Sequence, residues 1–313
     1  MEPVASPLSN RAPQHVRDLP AAFIRSALHE YYAEAPPAGV CDTDYSLWEC
    51  PETGLQFAAP PLQGNAAFYR WVGKFASYYP GLRWDYTKVR EVVAGLASWQ
   101  GPLLDVGAGR GDFLAYFDLL APGCKLGLDL NADAVRDCAE RGFGAFCGTV
   151  DEAISSGFVK PGGCGIVTAF HVLEHVEDPV GFAASLVSLA APTGRVFLST
   201  PNSPMSFEGQ WFDILNHPPH HLTRWNPRAY AKLASILGCR IRMFHPPSSL
   251  LRDTFKLFQL LRHGTETVSR SGKIKDALVH PAAFARCFAA QLRHRRQHPP
   301  PHSDVILVEL TKQ

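Results

Sequence analysis

Three groups of residues in this chain have types and spacings that suit chemistry on a small polar ligand. The first is Leu103-Leu104-Asp105-Val106-Gly107-Ala108-Gly109-Arg110-Gly111. An apolar run entering alternating glycines reads as a buried strand, a tight turn and the opening of a helix. Such a turn lets backbone approach a ligand closely and aims free amide N–H groups at it. Dinucleotide-binding folds use a related turn for pyrophosphate. Here a carboxylate, Asp105, precedes the first glycine, which favours a cationic ligand and disfavours pyrophosphate. The second is Asp129, at the end of a short strand over 125–130. It lies about twenty positions past the glycines, where nucleotide-binding α/β folds keep a ribose-hydroxyl acceptor. Capping of the helix expected over 131–141 is its competing role. The third is His171-Val172-Leu173-Glu174-His175, with the pair His220-His221 further along. Histidine titrates near neutrality, so it can move an acceptor proton or ligate a metal. A hydrogen-bonded structural histidine is the competing reading for each of them.

The elements that would carry these groups follow in a recognisable order. Asp-x-Gly-x-Gly-x-Gly resembles motif I of the class I methyltransferases that use S-adenosylmethionine. A strand at 165–170, then His-Val-Leu-Glu-His and Glu177-Asp178-Pro179, a helix at 180–191, a Pro-Thr-Gly turn and a strand at 195–200 ending in Pro201-Asn202 come next. That succession resembles the ubiquinone-biosynthesis O-methyltransferase type. Pro218-Pro219-His220-His221-Leu222-Thr223-Arg224-Trp225 and a helix reaching Leu237 and Gly238 continue it. The resemblance covers residues 100–245 and returns at a terminal strand over 304–310.

The resemblance implies an α/β fold with a Rossmann-like seven-stranded methyltransferase sheet, its last strand antiparallel. It implies methyl transfer from S-adenosylmethionine to a small-molecule or biosynthetic-intermediate acceptor, on oxygen in the first instance. Donor-binding residues would be Asp105, Gly107, Ala108, Gly109, Gly111, Asp129 and Leu130. Thr149 and Val150 would neighbour the adenine, with Thr149 standing where relatives carry an acidic residue and Asp151 as its substitute. Phe170 and His171 would border the donor. His175, His220 and His221 sit on segments leaving the carboxyl ends of core strands, where ligands bind in such folds, and are the candidates for acceptor contact or catalytic base. No metal ligand is assigned. His-x-x-Glu-His matches a zinc-peptidase phrase, but in the wrong context. Small-RNA 2′-O-methyltransferases hold a metal on Glu-x-x-Glu-His and a later His; here the set would be His171, Glu174, His175 and His221, with His171 in place of a Glu. A degenerate, non-catalytic binding subunit and a dehydrogenase are competing functions for the same fold. The intact glycine turn and Asp129 argue against the former.

Around this core, residues 1–20 read as a flexible N-terminus and 21–98 as an accessory or lid region. Residues 99–313 read as the methyltransferase domain, with a helical insertion at 246–303 before the last strand. Many relatives of this type begin with a four-cysteine zinc ribbon. Here Cys41 and Cys50 precede Gly54-Leu55-Gln56-Phe57 and Phe68-Tyr69, while Thr43 and Thr53 stand where the paired cysteines would fall. A structural zinc needs four ligands, so the region reads as a ribbon without its metal. The aromatics of 68–71 and 78–86 suit core packing or a wall beside a sulfonium.

With 46% hydrophobic residues over 313 positions, the chain can bury a full α/β core and an accessory region. A net charge of +1 favours no nucleic-acid partner. Eight scattered cysteines suit reduced thiols in a cytoplasmic protein, and neither a signal core nor a transmembrane-length run is evident. Residues 252–302 carry ten Lys or Arg against Asp253, Glu266 and Asp276. That basic, amphipathic stretch is suited to an anionic or carrier-bound substrate or to peripheral membrane contact, with a solvated helical face as the competing reading.

Overall fold

Pairing over long loops builds the N-terminal third. In the computed structural model, residues 4–75, 82–97, 99–264, 269–298 and 300–313 are described, so Tyr78, Tyr79 and Glu266 lie outside the described residues. Strands β1 (Gln14–Leu19), β2 (Tyr45–Glu49) and β3 (Gln56–Ala59) pair antiparallel in sequence order. Helix α1 (Ala21–Tyr32) buries Ile24 and Leu28, one turn apart, and α2 (Ala66–Val72) adds Phe68, Trp71 and Val72. The N–H of Phe68 donates to the Asn65 side chain, which caps α2. β1 falls inside the segment expected to be flexible. Five of its six residues are exposed and only Leu19 is buried, so its order comes from pairing with β2 and leaves no apolar signature in the sequence. Cys41 and Cys50 are buried in different apolar clusters, Cys41 with Tyr45 and Trp71, Cys50 with Leu55 and Trp225.

The larger sheet follows α3 (Trp84–Ala94). In chain order come β4 (Leu103–Val106), α4 (Asp112–Tyr116), β5 (Lys125–Asp129), α5 (Ala132–Glu140), β6 (Gly144–Cys147), α6 (Val150–Ser155), β7 (Cys164–Phe170), α7 (Pro179–Leu189), β8 (Ala190–Pro201), β9 (Thr223–Arg224), α8 (Pro227–Ile236), β10 (Cys239–Phe244), α9 (Leu250–His263), α10 (Arg270–Val279), α11 (Pro281–Gln297) and β11 (Val305–Lys312). Seven strands stand in the order β10-β11-β8-β7-β4-β5-β6. β11 runs antiparallel to both neighbours and the remaining pairs are parallel, as expected for the terminal strand.

Alternation along the strands explains why helices cover both faces. Leu104, Val167, Leu198 and Val308 point into one cluster with α6, α7 and α8, whereas Leu103, Ile166, Phe197 and Leu307 point into another with α3 and α4. Side chains two apart share a face, so strands apolar at every position must be covered twice. Helix α4, which the sequence suggested over 112–120, ends at Tyr116, because Phe117 leaves helical backbone and Pro122 follows.

β9 does not join the large sheet. It pairs with β3 and closes the N-terminal one, at Gln56–Arg224 and Phe57–Thr223. The segment after β8 also places Ile214 and Leu222 in the N-terminal core. Within the insertion, α9 and α11 pack through Leu257, Phe258 and Cys287 onto Phe207. Four of its basic residues are spent locally: Arg262 on Asp276, Arg252 and Arg295 on Asp253, Lys256 on Asp304.

Candidate active site

Four parallel strands, β4 to β7, end on one edge of the sheet, and the donor-side candidates all lie at those ends. Gly107 is exposed at φ 75°, and a Cβ there would meet Val172 Cγ2 at 2.4 Å. Gly111, also at positive φ, is buried at the start of α4, where a Cβ would meet Cys138 Sγ at 3.0 Å. Both positions therefore require glycine. The amides of the turn are not free, contrary to the sequence expectation. Those of Gly107 and Ala108 donate to the Leu128 carbonyl at 2.7 and 3.0 Å, that of Gly109 to Asp129 Oδ2 at 2.8 Å, and that of Gly111 to the Ala108 carbonyl. The turn folds back on the end of β5, so what it offers a ligand is close backbone approach and the Asp129 carboxylate. Asp129 Oδ1 accepts from the Asn131 N–H, and it is Asn131 that caps α5. Leu130 beside it is 67% exposed, a large apolar side chain open on the same edge.

Other candidates turn inward. Asp105 is buried, with Oδ1 accepting from the Thr168 hydroxyl at 2.6 Å. Burial pushes its carboxyl up to about 7; the Thr168 bond and Arg83 oppose that, while Asp129 and Asp85 add to it. Thr149 is exposed, but its hydroxyl is committed to a capping box with Glu152, and Val150 is buried in the core beneath α6. Phe170 packs edge-on between Tyr86 and Phe113.

The acceptor-side candidates converge. Residues 171–175 form a turn rather than a helix. His171 sits in the left-handed region at φ 55°, its N–H held by the Ser199 carbonyl. The Glu174 carbonyl accepts the N–H groups of both Leu222 and Thr223, tying this turn to the segment carrying His220 and His221. His175 Nδ1 donates to the His220 carbonyl at 2.5 Å. The rings of His175, His220 and His221 lie 4.7–4.8 Å apart, His220 stacked on His221 and His175 nearly perpendicular to both. Glu174 is 1% exposed; His171 Nδ1 lies 3.3 Å and His221 Nε2 3.9 Å from its Oε1. The Tyr69 ring faces His175 edge-on. Burial, reinforced by the field of His175, pushes His220 down to about 3, and burial holds His221 well below the ordinary histidine range. Both are neutral imidazoles at physiological pH.

Sequence reasoning missed the residues behind His171. Asp85 is buried and accepts from Arg83 at 3.0 Å and from the Ser199 hydroxyl at 2.7 Å, with His171 Nε2 at 3.5 Å. Burial alone would raise the Asp85 pKa, but His171 and Arg83 outweigh it and hold the carboxyl low. For His171 the balance is reversed: burial opposes its charge, and Asp85 and Glu174 together raise its pKa. Arg83 also lies 4.9 Å from the Tyr86 ring centroid and 5.9 Å from that of Phe170. The available signal was Arg83-Trp84-Asp85, a charge pair at the start of α3 in the accessory region.

Known proteins similar to this chain are methyltransferases. A family model described as a methyltransferase domain matches residues 82–242. The ubiquinone biosynthesis O-methyltransferase of Methylococcus capsulatus is 34% identical over 160 residues, 50% of this chain and 63% of the relative. The protein of the same description from Cupriavidus pinatubonensis is 30% identical over 113 residues, 35% and 44% of the two chains. The chain thus spans less than two thirds of the length of these relatives. Among solved structures, a SAM dependent methyltransferase from Archaeoglobus fulgidus aligns at 18% identity with a TM-score of 0.47, over 72% of this chain and 92% of that one.

Proposed function

The chain belongs to that methyltransferase family, and we propose that it moves a methyl group from S-adenosylmethionine to an oxygen of a small-molecule biosynthetic intermediate. The observation that carries the reading is the edge at β4 and β5. An exposed Gly107, a partly exposed Asp129 and an exposed Leu130 adjoin one another there, beside Asp105, on which Asp129 and Asp85 exert a negative field. That combination fits a ligand with ribose hydroxyls, an apolar base and two cationic centres. Each Asp129 oxygen accepts one N–H and keeps lone-pair capacity for a ribose hydroxyl.

When bound, the donor supplies an electrophilic methyl on sulfur. What remains for the protein is to align the acceptor oxygen in line with it and to handle the acceptor proton. In this reading His171, locked by Asp85 and Glu174, borders the donor, while His175, His220 and His221 receive the acceptor. Burial disfavours the imidazolium form of His220 and His221, so these rings border the acceptor rather than take up its proton. The relatives' role in ubiquinone biosynthesis suggests a phenolic acceptor. Basic residues of the insertion that form no ion pair among the described residues, such as Lys275, Arg286 and Arg293, suit an anionic or carrier-bound form of it. Among the described residues no helix is long and apolar enough to cross a membrane, and all eight cysteines are free thiols, which suits a cytoplasmic setting.

The test is calorimetric titration of chelator-treated protein with S-adenosylmethionine, followed by the same titration of Asp129→Ala. Micromolar binding that weakens at least tenfold in the variant, about 1.4 kcal/mol, is expected. Folded wild-type protein that does not bind the donor would remove the reading.

A further inference from the structure

From the histidine cluster we infer a binding site for a zinc-class divalent cation, held by His175, His220 and His221. These residues form the single group among the described residues in which three His, Cys, Asp or Glu side chains are placed to share a metal, with one ligand atom from each within 4.8 Å of the others. A shift of about an ångström brings such nitrogens to the spacing set by Zn–N distances of roughly 2.0–2.1 Å.

The hydrogen bonds around the cluster carry the argument further than proximity does. Each ring faces an oxygen with Nδ1: His175 the His220 carbonyl at 2.5 Å, His220 the Leu215 carbonyl at 2.9 Å, and His221 the Asn216 Oδ1 at 3.0 Å. Carbonyl oxygens only accept, so these Nδ1 atoms carry the protons and Nε2 is the lone-pair nitrogen of each ring. The Asn216 amide is itself oriented, because its Nδ2 donates to Glu208 Oε1 at 2.8 Å. Rings fixed by an N–H donated to carbonyl or carboxamide oxygen are how metal-binding histidines are held to one tautomer and orientation. Three imidazole donors suit zinc, or cobalt as its probe, over calcium or magnesium. The buried Glu174 carboxylate, 3.9 Å from His221 Nε2, supplies negative charge beside the cation.

Three protein ligands leave a fourth position open, the arrangement of catalytic rather than structural zinc. If the acceptor reading above holds, that position faces the acceptor hydroxyl, whose acidity a cation raises. This last clause rests on the proposed function; the metal site does not.

The full-length protein, freed of metal with a chelator, is titrated with Co²⁺ followed by its visible ligand-field bands, and with Zn²⁺ in competition with a chromophoric chelator. One equivalent of each is expected. His220→Ala and His221→Ala should each weaken binding by about 100-fold or more, and Asn216→Leu, which removes only the partner of His221, by about tenfold. X-ray absorption of zinc-loaded wild type, which needs no variant to fold, should show three imidazole ligands. Absence of stoichiometric binding to folded protein, sulfur or fewer than three imidazoles around zinc, or affinity unchanged in both histidine variants would overturn the site. S-adenosylmethionine titration of the metal-free protein is read separately, so loss of the donor reading and loss of the metal site give different results.

Discussion

Asp105→Asn should stabilise this protein increasingly as pH rises. In the folded chain the Asp105 carboxyl is buried in β4 and pushed up from its ordinary 3.8 to about 7. Its folded form therefore holds a proton that the unfolded chain releases, and stability falls as pH climbs between those two values. The slope is about 1.4 kcal/mol per pH unit, and the full loss above pH 7 is about 4 kcal/mol. Asparagine keeps an oxygen to accept from Thr168 and does not titrate in this range. The offset between the two proteins at any one pH includes the fit of the new amide group; the change in that offset does not. Urea unfolding of both proteins at pH 5 and pH 8 should show the variant gaining about 2.5 kcal/mol on the wild type across the interval. An offset that is the same at both pH values, or that moves the other way, would refute the claim that an ionised Asp105 is a buried cost. The functional corollary is that a cationic ligand at this edge offsets that cost, so donor should protect the wild type more at pH 8 than at pH 5.

The neighbouring carboxylate should behave with the opposite sign. Asp85, held low by His171 and Arg83, contributes stability that is present above its ordinary pKa of 3.8 and is lost only as pH falls through the lower folded value. Asp85→Asn should cost about 3 kcal/mol, because it leaves the partly buried Arg83 without its counter-charge, and thermal melts should show most of that cost persisting at pH 5. A variant as stable as wild type at pH 7 would show that the pair contributes nothing. Gly107→Ala should lose about 1–2 kcal/mol to left-handed backbone alone, with a further loss from the Val172 contact, and should bind donor more weakly. Unchanged melting and affinity would mean that the turn relaxes without consequence.

What can be read from the residues in order is whatever sits close together in the chain. The strand, glycine turn and carboxylate of 103–111, the apolar alternation of β7 and β8 and the terminal strand all carry their signal within a few residues. Asp129 is readable because a single helix and strand separate it from the turn. The amides of Gly107, Ala108 and Gly109 are misjudged from sequence, because their acceptors belong to Leu128 and Asp129 on the adjacent strand, and a spacing rule does not encode that partner. The histidines are visible as types, but their burial is not, so a role as base suggests itself for rings that burial holds neutral. Asp85 shows locally only its charge pair with Arg83, because its serine partner lies 114 residues away. β1 resembles a loose end because an edge strand with exposed side chains looks, residue by residue, like any polar terminus.

The two-residue strand β9 sets the timetable of synthesis. Gln56 and Arg224 pair, so the first sheet to leave the ribosome has to wait for a partner encoded 168 residues later. At about 5–20 residues per second, that wait is roughly 8–34 s. Throughout it the outer edge of β3 is open to any other extended chain, including its own copies on neighbouring ribosomes. The same event that covers that edge also brings His220 and His221 beside His175. A nascent chain that has assembled its histidines has therefore also covered that edge.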